Sequence, residues 1–285
     1  MTRYIGTITT PEAVARQLAL ADPSAPLTPA HSEWQSFLSY AKELCVQVST
    51  TMALQTGRVF VPYRATRRYF AQDAYYESRF VRRWFFSDED LLLADSVSFG
   101  GVALTSDQWR ALSPNSLPYY AVRVESALVN SYDFNNSLDI TGWWGYSNIT
   151  PYQSPQALDS VTINSAATTL PVSDVSLFET YEYLRIEDEI VQVIDRDEAN
   201  NVLTLERGAQ GTLAAGHTAV PAFRVVVYPS AKFVATRLVA WLYQKRNDTG
   251  DRVQFADGTS VVPASIPANI LADIQLLKRH SWGFV

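Results

Sequence analysis

The stretch DITGWWGYSNITPYQSPQALDSV, residues 139–161, places two tryptophans and a tyrosine between glycines and then becomes polar and proline-marked. Its first part completes a run, starting at residue 137, in which apolar and polar positions alternate as they do in strands. Behind it, residues 155–223 contain few tryptophans but keep the alternation. We therefore predict that the stretch ends one domain and leads into an inserted β module. The aromatic side chains expected to pack at the seam between these parts are Trp143, Trp144 and Tyr146.

The residues before this stretch predict an antiparallel sheet or a small sandwich. Five runs rich in β-branched and aromatic residues have a period of two and are separated by turn residues, which is typical of strands. These runs cover residues 58–71, 77–87, 91–104, 120–127 and 137–146.

Helices are predicted on both sides of these strands. Apolar residues recur at steps of three and four from Trp34 to Met52, and Gly57 follows them, as expected for a helix with one buried face. Similar stripes predict a helix over residues 231–246 and a last one that starts at Pro267, a residue favoured in the first turn.

Together these elements predict an α+β fold. A helical core, made of one long N-terminal helix and two C-terminal helices, would carry an antiparallel β-sheet domain and an inserted all-β module. The predicted boundaries are an N-terminal arm at residues 1–30, the core at residues 31–154 and 224–285, and the module at residues 155–223.

The composition excludes several classes of protein. The 285 residues include 23 basic and 29 acidic side chains, so a net charge of -6 does not favour wrapping nucleic acid. The single cysteine, Cys45, rules out an intramolecular disulfide, and its place on the helical stripe indicates a buried apolar role. No apolar run reaches about 18 residues and the N-terminus lacks a hydrophobic signal core. We expect neither a membrane span nor export, and synthesis in the cytoplasm.

Arginines alternate with aromatic residues in the first two predicted strands. One interpretation is a solvated face on which guanidinium groups stack on aromatic rings, and the other is a positive lining that faces nucleic acid or an acidic partner. The side chains concerned are Arg58, Arg64, Arg67, Arg68, Arg79, Arg82 and Arg83.

No sequence motif indicates catalysis, a metal site or a cofactor. The three histidines lie in different segments, and no nucleophile, zinc, calcium or nucleotide motif is present. The acidic run RIEDEIVQVIDRDE is best interpreted as a solvated hairpin, since alternation sends Glu187 and Glu189 to one face and Asp188 to the other. Gly208 and Gly211 are interpreted as turn glycines because no helix of sufficient length follows them. We expect a protein that is not an enzyme and has no cofactor.

Two motifs outside the inserted module resemble the head–tail connector or adaptor proteins of tailed bacteriophages. The turn after the first helix matches the family's "tGR.f" pattern, and the last strand matches its "TG.WGY" pattern. The matching residues are Gly57, Arg58 and Phe60 in the first motif, and Thr141, Gly142, Trp144, Gly145 and Tyr146 in the second. The resemblance covers about residues 31–150 and 225–285.

The inserted module departs from the compact adaptor pattern, but it has a resemblance of its own. It is similar to a small β domain of phage tail and baseplate proteins whose signature is R-G-A-x-G-T followed by a histidine. The matching residues are Arg207, Gly208, Ala209, Gly211, Thr212 and His217.

The connector resemblance implies a non-enzymatic virion protein, made in the bacterial cytoplasm and located in the virion neck. It would form a ring, typically dodecameric, that binds the portal protein on one side and a neck or tail completion protein on the other, with passive contact to double-stranded DNA in the channel. The C-terminal segment implied to anchor on the portal contains Lys278, Arg279, His280, Trp282, Phe284 and Val285. The candidate subunit-interface residues are Arg58, Phe60, Arg64, Arg67, Arg68 and Arg82.

Two alternatives stay open from sequence. The chain could be another tail or baseplate component, or a receptor- or carbohydrate-binding protein in which Trp143, Trp144 and Tyr146 stack on sugars. The second alternative requires these rings to be exposed, whereas the connector interpretation expects them to be buried.

Overall fold

The computed structural model describes residues 6–21, 33–71, 74–77, 82–112, 117–125, 136–246, 255–256, 259–260 and 266–279. Within these ranges the chain forms four α-helices and fifteen strands. The helices are α1 (Pro11–Ala21), α2 (Trp34–Thr56), α3 (Pro229–Lys245) and α4 (Ala268–Leu276).

Seven strands form a first antiparallel sheet in the order β1-β7-β3-β6-β5, with the short strands β2 and β4 paired to β3. The strands are β1 (Tyr63–Phe70), β2 (Tyr75–Glu77), β3 (Arg82–Phe99), β4 (Val102–Ala103), β5 (Trp109–Leu112), β6 (Tyr119–Val124) and β7 (Ser137–Trp144). β3 is one strand where the sequence predicts two. Its polar residues Glu89 and Asp90 do not end it because they pair with Arg67 and Arg58 inside the fold.

Two glycines of the 139–161 stretch allow close contacts between backbones. A Cβ atom on Gly142 in β7 would lie 2.1 Å from the carbonyl oxygen of Leu93 in β3. Gly145 has a φ of 127°, and a Cβ atom there would lie 3.1 Å from the carbonyl oxygen of Val61. Only glycine fits both positions without a shift of the backbone, so the "TG.WGY" pattern is explained by the path of this strand.

Six strands form a second antiparallel sheet in the order β8-β13-β10-β11-β12-β9. They are β8 (Gln156–Ile163), β9 (Thr169–Pro171), β10 (Tyr183–Ile186), β11 (Glu189–Asp197), β12 (Val202–Ala209) and β13 (His217–Arg224). The two remaining strands, β14 (Phe255–Ala256) and β15 (Thr259–Ser260), pair with each other. Each of the two larger sheets encloses its own apolar core.

The helices pack together in a third apolar core. The stripe from Trp34 to Met52 on α2 lies against α3 and α4, and the φ of 70° at Gly57 ends α2 as predicted. Cys45 is fully buried in this core. The pKa of its thiol is raised, mainly by this burial and to a smaller extent by the nearby charge of Glu12. Among the described helices, none has the length and apolar character needed to span a membrane.

The segment before α2 differs from the predicted arm in its described part. It contains α1, and its backbone leads along the second sheet, where the N–H of Thr7 donates to the Tyr183 hydroxyl at 2.9 Å. Glu12 accepts hydrogen bonds from the N–H and hydroxyl of Thr180 at 3.1 and 2.9 Å. Residues 6–21 thus connect the helices to the second sheet.

The predicted fold class is wrong. The protein is mostly β, with two curled antiparallel sheets and four helices of limited length, and it is not organised around a helical connector core. The periodic stripes on residues 34–52 and 231–246 correctly predicted helices. The error was to expect these helices to organise the whole fold. The two sheets, each with its own core, contain more of the described residues than the helices do.

Candidate functional site

The candidate site centres on a buried carboxylate at the start of β11. The side chain of Glu189 is 1 % exposed, and its two oxygens contact five nitrogens. Oε1 accepts from Arg207 Nε at 2.7 Å and from the N–H of Gly208 at 2.9 Å. Oε2 accepts from Arg207 Nη2 at 2.8 Å and the N–H of Ala215 at 3.0 Å, and lies 2.8 Å from His217 Nε2. We call these five residues the Glu189 hub.

The hub fixes the charge of its central residue. Burial by itself raises the pKa of Glu189, but hydrogen bonds from Arg207, Ala215, His217 and Gly208 outweigh it and lower this pKa to about 2. The carboxylate is therefore ionised at neutral pH and holds its donors firmly.

Arg207 connects the hub to neighbouring loops. Its Nη1 donates to the carbonyl oxygens of Asn164 and Ala167, both at 2.8 Å, and its Nη2 donates to that of Ala215 at 2.6 Å. A guanidinium has five donors in a rigid plane, so one side chain can join several segments. Arg207 thereby clamps the connection between β12 and β13 to the loop after β8.

The connection between β12 and β13 presents an exposed leucine on a fixed loop. Thr212 accepts from the N–H of Ile190 at 2.9 Å and donates to the carbonyl oxygen of Ala209 at 2.8 Å. Gly208 and Gly211 have φ values of 61° and 77°, which confirms their interpretation as turn glycines. Leu213 is 86 % exposed. We call residues 210–216 the Leu213 loop.

His217 ties the hub to the turn between β10 and β11. Its Nδ1 lies 2.8 Å from Glu187 Oε2, while its Nε2 contacts Glu189. The imidazole is buried, but Glu187 and its neighbour Asp188 are more than half exposed. An acidic turn therefore stands beside the Leu213 loop.

A cleft of about 820 Å³ separates the hub from β1 of the first sheet, and Arg64, Asp188 and Leu213 are among its lining residues. Asp188 accepts from the Tyr152 hydroxyl at 2.7 Å, and Arg64 donates to Asp95 at 2.9 Å. Each of these two charged side chains thus has a hydrogen-bond partner, and the two lie 3.7 Å from each other. In the described part of the chain, no group of three His, Cys, Asp or Glu side chains could hold a metal ion.

A second, apolar pocket of about 480 Å³ lies at the other end of the second sheet. We call it the Glu182 pocket. Its wall combines residues 7–10, the start of β10, the end of β13 and the first turns of α3, and it includes the exposed ring of Phe233. Glu182 Oε1 and Arg224 Nε are buried there and have no hydrogen-bond partner among the described residues, although Arg224 Nε lies 3.5 Å from Glu182 Oε2.

The carboxyl group of Glu182 has an unusually high pKa, and burial is the main cause. Burial raises the pKa of Glu182 to about 7, against the opposing charge of Arg224. Near neutral pH this carboxyl group is therefore only partly ionised. Lys232 of the pocket wall pairs with Glu179, and so does Arg16 of α1.

The three predicted seam aromatics reach three different environments. Trp143 is fully buried between the two sheets, where Tyr183, Ile190 and Val225 of the second sheet belong to the same apolar cluster. Trp144 is fully buried in the core of the first sheet. Tyr146 packs against the helical core, with the Arg58 guanidinium 3.8 Å from its ring centroid. The stretch thus contacts the core of the first sheet, the helical core and a separate apolar cluster between the two sheets. Its buried tryptophans are not available for stacking on sugars.

The predicted subunit-interface residues mostly serve the chain's own fold. Phe60 and Arg67 are buried inside the chain, so their side chains are not available for contact with another subunit. Arg58 pairs with Asp90 at 2.9 Å and Arg67 with Glu89 at 2.6 Å, both inside the molecule. The more exposed Arg64 and Arg68 also face carboxylates, at 2.9 and 2.7 Å. Arg82 lies at the start of β3. The arginines with described side chains therefore do not form a positive lining of unpaired charges.

The predicted portal-binding segment is described as far as Arg279. Lys278 is exposed. The N–H of Arg279 donates to the carbonyl oxygen of Thr56 at 2.8 Å, and its Nη2 donates to those of Ser87 and Glu89 at 2.6 and 3.2 Å. Arg279 thus fixes the end of α4 to α2 and β3. The other candidates, His280, Trp282, Phe284 and Val285, lie outside the described residues.

Sequence reasoning missed the hub. The solvated-hairpin interpretation fits Asp195, Asp197 and Glu198, which are exposed, but it is wrong for Glu189. Alternation does place Glu187 and Glu189 together, on His217. The available signal was the arginine and the histidine of the 207–217 signature, which are side chains that can form hydrogen bonds to a buried carboxylate.

No protein-family model, curated protein or solved structure matches this chain.

Proposed function

We propose that the chain is a structural virion protein. In this proposal it forms an adaptor ring under the portal of a tailed phage, joins the capsid vertex to the neck or tail, and extends the DNA channel. The proposal does not depend on a fold organised around its helices, because this chain is mostly β. It rests on the resemblance of the two motifs and on the distribution of exposed apolar side chains.

The observation that carries the proposal is that large apolar side chains are exposed on unlike parts of the molecule. Leu54 on α2 and Leu276 on α4 are exposed on the helical layer, Phe70 on the first sheet, and Leu213 beside the second. Burying such a side chain in a contact between subunits removes its apolar surface from water, which favours association. A closed ring with head-to-tail contacts needs two different contact surfaces on every subunit, and the exposed apolar side chains lie on enough unlike parts of the chain to contribute to two.

The roles of the motif residues support the resemblance. Gly57 ends α2, and Gly142 and Gly145 allow the close approach of β7 to its neighbours. These positions determine how strands and helices meet, which is what a motif shared across a structural family would preserve. The chain's net charge of -6 and its paired arginines suit a channel through which DNA passes without tight binding.

The end of α4 supports a portal anchor beyond it. Arg279 has a fixed position through Thr56, Ser87 and Glu89. The sequence beyond it includes Trp282, Phe284 and Val285, which are large and apolar. Apolar residues that follow a fixed point are well suited to dock on a partner, because less freedom is lost on binding.

Sedimentation velocity tests the proposal. The full-length chain and a variant that ends at Arg279 are each measured alone and mixed with the portal protein of the same virion. We expect the full-length chain to add the mass of several subunits to the portal and the shortened chain to bind at least tenfold more weakly. A full-length chain that adds no mass to the portal at any concentration contradicts the proposal.

A further inference from the structure

The Leu213 loop and the Glu182 pocket lie at opposite ends of the second sheet. β13 begins at His217, a hub residue, and ends at Arg224, a pocket residue. Eight strand residues at about 3.3 Å each separate the two features by roughly 25 Å. Because the hub anchors the loop at one end of this strand, a chain cannot place its own Leu213 in its own pocket.

The two features are complementary in shape and polarity. The Leu213 side chain protrudes from an anchored backbone. The pocket is a largely apolar cavity, and the exposed ring of Phe233 lies at its edge. Its volume of about 480 Å³ lies within the range of roughly 300–1,000 Å³ that is common for binding pockets.

The charges beside the two features are opposite. The turn next to the loop exposes Glu187 and Asp188. The pocket is lined by Arg224 and Lys232, whose side chains are more exposed than those of their acidic partners Glu182 and Glu179. Complementary charges of this kind orient two surfaces as they approach each other.

We propose that the Leu213 loop of one copy inserts into the Glu182 pocket of the next copy. The contact is head-to-tail, because each copy uses its loop on one neighbour and its pocket on the other, and such contacts close into rings when the rotation permits. This inference rests on the proposed ring assembly. It places the contact between subunits at the second sheet, and not at the arginine-containing strands β1 and β3 of the first sheet.

Directed cross-linking tests the contact. One preparation carries Leu213→Cys and the other Phe233→Cys, and the two are mixed and treated with a short bismaleimide. The native Cys45 is fully buried in the helical core, so it does not compete for the reagent. We expect a cross-linked dimer that joins the introduced thiol in the loop of one preparation to the introduced thiol at the pocket of the other, and little product from either preparation alone. A mixture of Val102→Cys and Phe233→Cys is the matched control and should give no such product.

The association constant provides an independent measurement. Leu213→Asp should weaken self-association at least tenfold, whereas Val102→Asp, the same change at another exposed apolar position, should leave it unchanged. Both substitutions lie at exposed side chains, so their thermal unfolding should match that of the unmodified chain. Both experiments are made with and without the portal protein.

The outcomes separate this contact from the proposed function. Rings that form normally with Leu213→Asp, or a cross-link between two copies of Leu213→Cys only, overturn the loop-in-pocket contact and leave the ring proposal intact. A chain that never associates, with or without portal, contradicts both.

Discussion

Replacing Glu189 by glutamine should disrupt the Glu189 hub. The substitution keeps the size of the side chain but exchanges one acceptor oxygen for an NH₂ group, which is a donor. The carboxylate contacts five nitrogens, and each of its oxygens accepts from at least two donors. Whichever way the amide turns, at least two donors then face another donor, and the Arg207 guanidinium, 6 % exposed, loses its counter-charge.

The expected magnitude follows from this geometry. Breaking a buried ion pair by removal of one charge costs about 3–5 kcal/mol, so we expect Glu189→Gln to lower the free energy of unfolding of the second sheet by about 3 kcal/mol. This is a large fraction of the roughly 5–15 kcal/mol that stabilises a folded domain. The Leu213 loop should also become accessible to proteases, because Ala215 loses its bond to the carboxylate.

Urea unfolding followed by circular dichroism, together with limited proteolysis, measures both effects. Glu206→Gln is the matched control, since Glu206 is an exposed residue of the neighbouring strand β12. The pKa of Glu189 is lowered from 4.5 to about 2, so its contribution is complete above pH 4.5 and is lost as the pH falls toward 2. The difference between the two proteins should shrink over that range. If Glu189→Gln and Glu206→Gln unfold at the same urea concentration at pH 7, the hub does not organise this site.

Three further predictions concern other buried groups. The pKa of Glu182 is raised from 4.5 to about 7, so the stability that its protonated form provides is complete below pH 4.5 and is lost as the pH rises through 7. Glu182→Gln should remove this fall from a plot of melting temperature against pH, and an unchanged plot would refute the raised pKa. Trp143→Ala should cost about 3–5 kcal/mol in urea unfolding because the ring fills the contact between the two sheets; a cost under about 1 kcal/mol would mean that the sheets do not depend on it. Asp90→Asn leaves the Arg58 guanidinium without its carboxylate at 2.9 Å and should cost about 3 kcal/mol in urea unfolding; a variant as stable as the unmodified chain would contradict a structural role for this pair.

The sequence identified elements whose causes are local. The apolar stripe on α2 and the glycine that ends it can be recognised without a partner, since both depend on residues three or four positions apart. The turn glycines at positions 208 and 211 were recognisable for the same reason. The strand range of the second sheet could also be predicted from alternation and turn signals.

Features that depend on distant residues could not be predicted. Thr7 and Glu12 bind residues more than 160 positions away, so nothing in residues 1–30 alone indicates that part of the predicted arm is built into the fold. Glu189 is buried because Arg207 and the following loop fold over it, and no pattern within the acidic run signals this. Asp90 and Glu89 resembled a turn between two strands because their cationic partners lie on other segments.

Negative-stain images of the purified chain, alone and mixed with the portal protein of the same virion, test the proposed function most directly. We expect class averages of closed rings with rotational symmetry that stack on one face of the portal, and loss of this stacking for the chain that ends at Arg279. Images that contain only single, unattached particles in both samples would contradict the adaptor ring.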